Sequence, residues 1–116
     1  MRRFDEEFVE QILREFSQQD LQSDARFAEQ YVYSRRNKGY GPLRIRAELA
    51  ERGIDDQLIN IYLDSEDSEW QQHMLAVAEK KFGAHPPADK KEAAKRGRFL
   101  SSRGFSSWQI SDYLFN

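Results

Sequence analysis

The twelve residues RGIDDQLINIYL at 52–63 align without a gap on RGFSSWQISDYL at 103–114, an offset of 51 residues. Each copy sets Arg-Gly, one apolar residue and a pair of capping residues ahead of Ile and Tyr-Leu at the same spacing. A chain of 116 residues that repeats itself in this way is an array of small units. Units of this size bury little alone and must stack on their neighbours, so the expected shape is an elongated, curved array rather than a ball. FDEEFVEQIL at 4–13 fits the same template, with Phe4 for Ile54, Val9 for Ile59 and Leu13 for Leu63. Upstream, Leu49 pairs with Leu100, Arg44 with Lys95, and KGYG at 38–41 with KKFG at 80–83. The second copy adds a loop containing Pro86 and Pro87.

The spacing of apolar residues predicts helix almost throughout. Phe4, Phe8, Val9, Ile12, Leu13 and Phe16 form one stripe at intervals of three to five. Ser23 or Asp24 caps a second helix whose apolar face is Phe27, Ala28, Tyr31 and Val32, and Gly39 and Gly41 stop it. Pro42 suits the first turn of a third helix with Ile45 and Leu49 on its core side. Gly53 ends that helix in a position suited to a left-handed cap. Asp55 caps a fourth with Leu58, Ile59, Tyr62 and Leu63. After a polar stretch at 64–68, Trp70, Met74, Val77 and Ala78 carry a fifth helix to Phe82-Gly83, and His85-Pro86-Pro87 forces a loop. Asp89 caps a sixth with Ala93, Ala94, Phe99 and Leu100, which Gly97 interrupts. Ser106 caps a seventh with Ile110, Tyr113 and Leu114. Tyr31, Tyr62, Tyr113, Trp70 and Trp108 read as core or half-buried. No window alternates with a period of two, so the fold class is all-α without β-sheet, its repeating unit three helices. Residues 23–65 and 66–116 form two such units, and residues 1–22 supply the last helix of a unit whose first two helices are missing.

Charge is distributed in blocks. The net charge is −2, but segments 1–34, 35–53, 54–79, 80–103 and 104–116 carry −4, +4, −7, +6 and −1. The basic blocks place Arg35, Arg36, Lys38, Arg44 and Arg46 in one unit and Lys80, Lys81, Lys95, Arg96 and Arg98 in the next. If they fall at equivalent positions, the array presents two cationic patches at a regular spacing, suited to multivalent contact. A solvated surface without a partner is the plain alternative. No apolar run reaches the roughly 18 residues of a membrane span, and no signal-peptide pattern opens the chain. With no cysteine, disulfides and thiolate metal sites are excluded, and a soluble cytoplasmic protein is expected.

Catalysis finds little support. His73 and His85 stand twelve apart with no ligand pattern around them, so no metal site is expected. No phosphate loop follows a strand, and Asp55-Asp56 reads as a helix cap. A helix-turn-helix that reads DNA directly is the stronger rival, since two helices meet at the 39–41 turn. Yet the third helix offers Arg44, Arg46, Glu48 and Glu51, and the two acids would meet phosphates badly. Nonspecific, salt-sensitive DNA contact stays open, as does a plain helical scaffold with another partner.

The stretch SDARFAEQYVYSRRNKGYGPLRIRAELAERGI at 23–54 resembles the central repeat of the RecX family, regulators of the bacterial recombinase RecA. The matching residues are Asp24, Arg26, Phe27, Arg36, Lys38, Gly39, Tyr40, Gly41, Ile45, Leu49, Gly53 and Ile54, and KKFG and RFLSSRGF resemble the family's third repeat. Two residues depart from the pattern: Asp20 stands where the family usually has a glycine ending the first helix, and Gly97 interrupts the sixth helix. The resemblance implies three-helix repeats and a protein without catalytic activity, cofactor or small-molecule substrate. It implies binding in the groove of the RecA–DNA filament and restraint of strand exchange, ATP hydrolysis and the filament's co-protease role. The ten cations would then contact filament or DNA, while Asp24, Phe27, Gly39, Tyr40, Gly41 and Gly53 serve the fold.

Overall fold

The computed structural model describes residues 23–64 and 67–115. The helix expected at 4–16 and Asp20 lie outside the described residues. Within them, residues 23–37 are helical (α1), followed by α2 (Pro42–Glu51), α3 (Asp56–Tyr62), α4 (Ser68–Phe82), α5 (Lys90–Arg103) and α6 (Ser107–Phe115), and no strand is present. The molecule is elongated, with principal extents of 75 × 22 × 19 Å.

The repeat is reproduced atom for atom at the α2–α3 and α5–α6 junctions. Gly53 N–H donates to Ala50 O at 3.0 Å, and Gly104 N–H to Ser101 O at 3.0 Å. One residue on, Ile54 N–H reaches Leu49 O at 3.1 Å and Phe105 N–H reaches Leu100 O at 3.2 Å. Both glycines have positive φ, +82° and +101°, which side chains with a Cβ rarely adopt, so each ends its helix as the sequence predicts. Ile54 and Phe105 then insert into the core, as do Ile59 and Ile110.

Helix starts follow the expected caps. The carboxylates of Asp55 and Asp89 accept from Gln57 N at 2.8 Å and Glu92 N at 2.8 Å. Ser106 and Gln109 form a reciprocal capping box: Gln109 N–H donates to Ser106 Oγ at 3.4 Å and Ser106 N–H to Gln109 Oε1 at 3.1 Å. The 64–68 break is real, because Asp67 accepts from Glu69 N and opens α4. Ser23 and Asp24 are already helical, so neither is a cap. Gly97 does not interrupt α5, which is continuous from Lys90 to Arg103. It lies on the face of α5 that meets α6, where a Cβ would stand 3.4 Å from Leu114 Cδ1.

One apolar cluster runs through both units, from Ala28 and Val32 through Ile45, Leu49 and Met74 to Leu100 and Phe105. Three expected core positions face outward. Phe27 is 40% exposed and stacks on Tyr31 at 5.4 Å. Ala94 and Trp108 are exposed, as are Leu43 and Gln57, their counterparts at the 51-residue offset. The outward-facing register repeats, and the apolar identity there does not change it.

The units are joined backbone to backbone. Gly41 N–H donates to Arg103 O at 2.7 Å and Leu43 N–H to Gly104 O at 2.9 Å. Pro42, lacking an N–H, stands between these two donors at the first turn of α2. The glycine with positive φ after α1 is Gly39, matched by Gly83 after α4, so the KGYG and KKFG alignment is displaced by two residues. Gly41, with φ −92°, serves the joint instead.

Candidate functional site

The fold sorts the ten cations singled out in the sequence into three groups. The first is engaged in contacts within the protein. Arg35 grips Glu48 with both prongs of its guanidinium, Nε to Oε1 at 3.1 Å and Nη2 to Oε2 at 2.9 Å, while Tyr31 Oη donates to the same carboxylate at 3.0 Å. Arg44 Nη1 donates to Ser102 O at 3.1 Å across the joint, and its Nε lies 3.5 Å from Glu48 Oε2. Arg46 Nη2 donates to Leu63 O at 3.2 Å. Between these groups, Tyr40 has Arg35, Arg44 and Arg103 against its ring at 3.9, 4.5 and 4.9 Å. Burial alone would raise the Glu48 carboxyl, but hydrogen bonds from Arg35 and Tyr31 outweigh it and hold the group below its ordinary value.

Arg96 requires a correction. Expected to meet a partner, it is fully buried, where its Nη2 donates to Glu92 Oε1 at 2.6 Å and its Nη1 to Tyr113 Oη at 2.8 Å and His85 O at 2.9 Å. It fastens the 83–89 loop and α6 to α5. A lysine-and-arginine block read by charge alone gives no sign of this. The Arg96–Tyr113 spacing of seventeen matches that of Tyr31 and Glu48, another contact between consecutive elements.

The second group meets in a cleft of about 460 Å³ between the turn after α1, one face of α4 and the end of α5. Arg36 and Lys38 come from one unit, Lys80, Lys81 and Arg103 from the other. Among the described residues, no carboxylate lines this cleft and none forms a salt bridge to any of the five cations. Arg36 Nε is buried without a hydrogen-bond partner. His73 lies beside it, its imidazole pushed below the ordinary value first by burial and then by the charge of Arg36. The two basic blocks thus meet in one concavity rather than as separate patches. Lys95 and Arg98, the third group, are exposed on α5 outside the cleft.

Arg103 and His73 were not singled out in the sequence as site residues. His73, Val77, Lys80 and Lys81 recur at helical spacing on one face of α4, a signal present in the sequence. Arg103 belongs to the repeated Arg-Gly pair, and only the joint, which sets its Nη1 3.5 Å from Lys38 O, carries it to the cleft.

Two family models match the chain. One is described as RecX, second three-helix domain, over residues 23–63, and the other as RecX, third three-helix domain, over residues 67–114. The chain belongs to the RecX family. The matched ranges coincide with α1–α3 and α4–α6. A regulatory protein RecX from Pseudomonas fluorescens is 41% identical over 108 residues, covering 93% of this chain and 70% of the relative. The regulatory protein RecX of Halorhodospira halophila is 39% identical over 103 residues, with 89% and 64% covered. That of Pseudomonas tolaasii is 43% identical over 108 residues, with 93% and 70% covered. Among the described residues no helix is long and apolar enough to cross a membrane.

Proposed function

We propose that this RecX-family chain is a non-catalytic cytoplasmic regulator that binds the RecA–DNA filament and restrains its recombinase, ATPase and co-protease activities. The observation that carries the reading is the match to the family's second and third domains, with relatives named regulatory protein RecX about 40% identical over most of the chain. In this reading Arg36, Lys38, Lys80, Lys81 and Arg103 meet the filament, while Lys95 and Arg98 are solvated on α5 outside the contact. Arg35, Arg44, Arg46 and Arg96 act on it only by holding the repeats in register.

The second reading, direct nucleic-acid contact, is favoured by the acid-free cleft. It takes the sequence-blind form, because the cations of α2 that would read base edges are engaged with Glu48, Ser102 and Leu63. Sedimentation with RecA assembled on single-stranded DNA with a nonhydrolysable ATP analogue, against DNA alone and RecA alone at two salt concentrations, separates the two. The filament reading requires co-sedimentation with the filament and not with bare DNA. Equal sedimentation with DNA alone favours the second reading, and absence from every pellet removes both.

A further inference from the structure

We propose that the cleft between the turn after α1 and helices α4 and α5 is a binding site for clustered phosphate groups, recognised by charge and not by base. It shares residues with the filament reading but does not depend on RecA, and it is tested without RecA so that each can fail alone.

Charge is the first argument. Five cations line one concavity that no carboxylate among the described residues enters, in a chain with 20 acidic residues. Gathering like charges in this way costs stability through their mutual repulsion. Three other cations are paired with acids, at Arg35–Glu48, Arg44–Glu48 and Arg96–Glu92. A ligand that relieves the repulsion must bring several negative charges in a small space. A single carboxylate brings one, whereas a run of phosphates brings one or more per group.

Donor chemistry is the second. Arg36 and Arg103 present planar forks suited to phosphate oxygens, and the three lysines act as point charges around them. A cleft of about 460 Å³ lies within the usual range of small-ligand sites.

The cleft is poorly furnished for stacking bases. Of its two rings, His73 packs against Trp70 at 5.9 Å, and Phe99 has Lys81 Nζ and the Arg103 guanidinium over it at 5.3 and 5.1 Å, with Phe82 edge-on at 5.4 Å. Tyr40 is likewise covered by guanidinium groups. Neither Phe99 nor Tyr40 offers a bare face for a base to stack on, as sequence-tolerant single-strand binders do. The phosphates therefore come either from a nucleic-acid backbone or from a free polyphosphate chain.

The experiment titrates the full chain with inorganic tripolyphosphate by calorimetry and with a fluorescent oligothymidylate by anisotropy, each over a range of salt concentrations. Lys38→Gln/Lys80→Gln and Lys95→Gln/Arg98→Gln are compared with the parent, and circular dichroism verifies that all are folded. The parent binds at low salt, and Lys95→Gln/Arg98→Gln retains the affinity for tripolyphosphate. For the oligonucleotide, Lys38→Gln/Lys80→Gln reduces the slope of log K against log salt by about 1.4, roughly 0.7 for each lost phosphate contact. Displacement of oligonucleotide by tripolyphosphate identifies backbone phosphates as a source, and tripolyphosphate binding alone identifies a free chain. The proposal is overturned if the folded parent binds neither probe, or if removing Lys38 and Lys80 costs no more affinity than removing Lys95 and Arg98.

Discussion

Gly41 and Gly104 touch through their backbones across the two repeats: a Cβ on Gly41 would lie 2.5 Å from both the carbonyl carbon and oxygen of Gly104. On the other side, a Cβ on Gly104 would overlap the Cβ and backbone of Arg44. The contact permits the Gly41 N–H to Arg103 O and Leu43 N–H to Gly104 O hydrogen bonds, which hold Lys38 and Arg103 at the same cleft. Gly41→Ala is therefore expected to destabilise the chain by about 2–3 kcal/mol through overpacking and lost hydrogen bonding. Gly104→Ala adds the strain of φ +101° and costs about 1 kcal/mol more. Urea unfolding of both variants beside Gly53→Ala provides the check. Gly53 has positive φ but nothing within 4 Å of its Cβ position, so it reports the backbone term alone.

The Arg96 cluster gives a second expectation. Arg96→Met keeps the volume of the aliphatic stem but strands Tyr113 Oη and His85 O, and it removes the partner of Glu92. Glu92 is partly exposed and can rehydrate, so the cost falls short of a fully buried broken pair, at about 2–4 kcal/mol. Arg96→Lys should recover little, because one ammonium cannot span three acceptors that a planar fork reaches together. Thermal melts of the two variants should fall close together and well below the parent.

The element order was legible in the sequence because the cues were local and occurred twice. Gly53 and Gly104, Asp55 and Ser106, Ile59 and Ile110 each predict the same turn, cap and core position from a few neighbouring residues. The cleft was not legible in the same way. Its cations come from segments some forty to seventy residues apart, and what unites them is the Gly41–Gly104 contact, which no periodicity encodes. Charge counting also cannot distinguish Arg96, whose guanidinium is spent inside, from Lys95 beside it, which faces solvent. That distinction depends on which side of α5 meets α6. Gly97 lies on that side, and by its residue type alone it predicts a break in a helix that is continuous.

Glu48 links stability to pH. Its carboxyl is held below its ordinary value by Arg35 and Tyr31 against the opposing effect of burial. A group with a depressed folded pKa contributes stability that is present above its unfolded pKa and lost as pH falls through the folded one. The advantage of the parent over Glu48→Gln should thus be constant near neutrality and shrink on acidification through and below the ordinary carboxylate range. Urea unfolding of both proteins at a series of pH values from roughly 7 to 3 measures it. A difference independent of pH would mean that Glu48 acts through packing and not through its charge.

Gly97 offers the opposite sign of effect. It lies in the interior of α5, where glycine costs about 1 kcal/mol relative to alanine through backbone entropy. A methyl group there would stand 3.4 Å from Leu114 Cδ1 and 3.8 Å from Ile110 Cγ2, ordinary packing distances that require no backbone movement. Gly97→Ala should therefore stabilise the chain by up to about 1 kcal/mol. Gly97→Leu should destabilise it by about 1–3 kcal/mol, because the larger side chain separates α5 from α6. Since α6 carries Tyr113 to the buried Arg96, the two variants should also differ in hydrogen-exchange protection of the α6 amides, raised in the first and lowered in the second. Loss of stability in Gly97→Ala would show that the α5–α6 interface cannot accept a single methyl, and that this glycine is held by packing as tightly as Gly41.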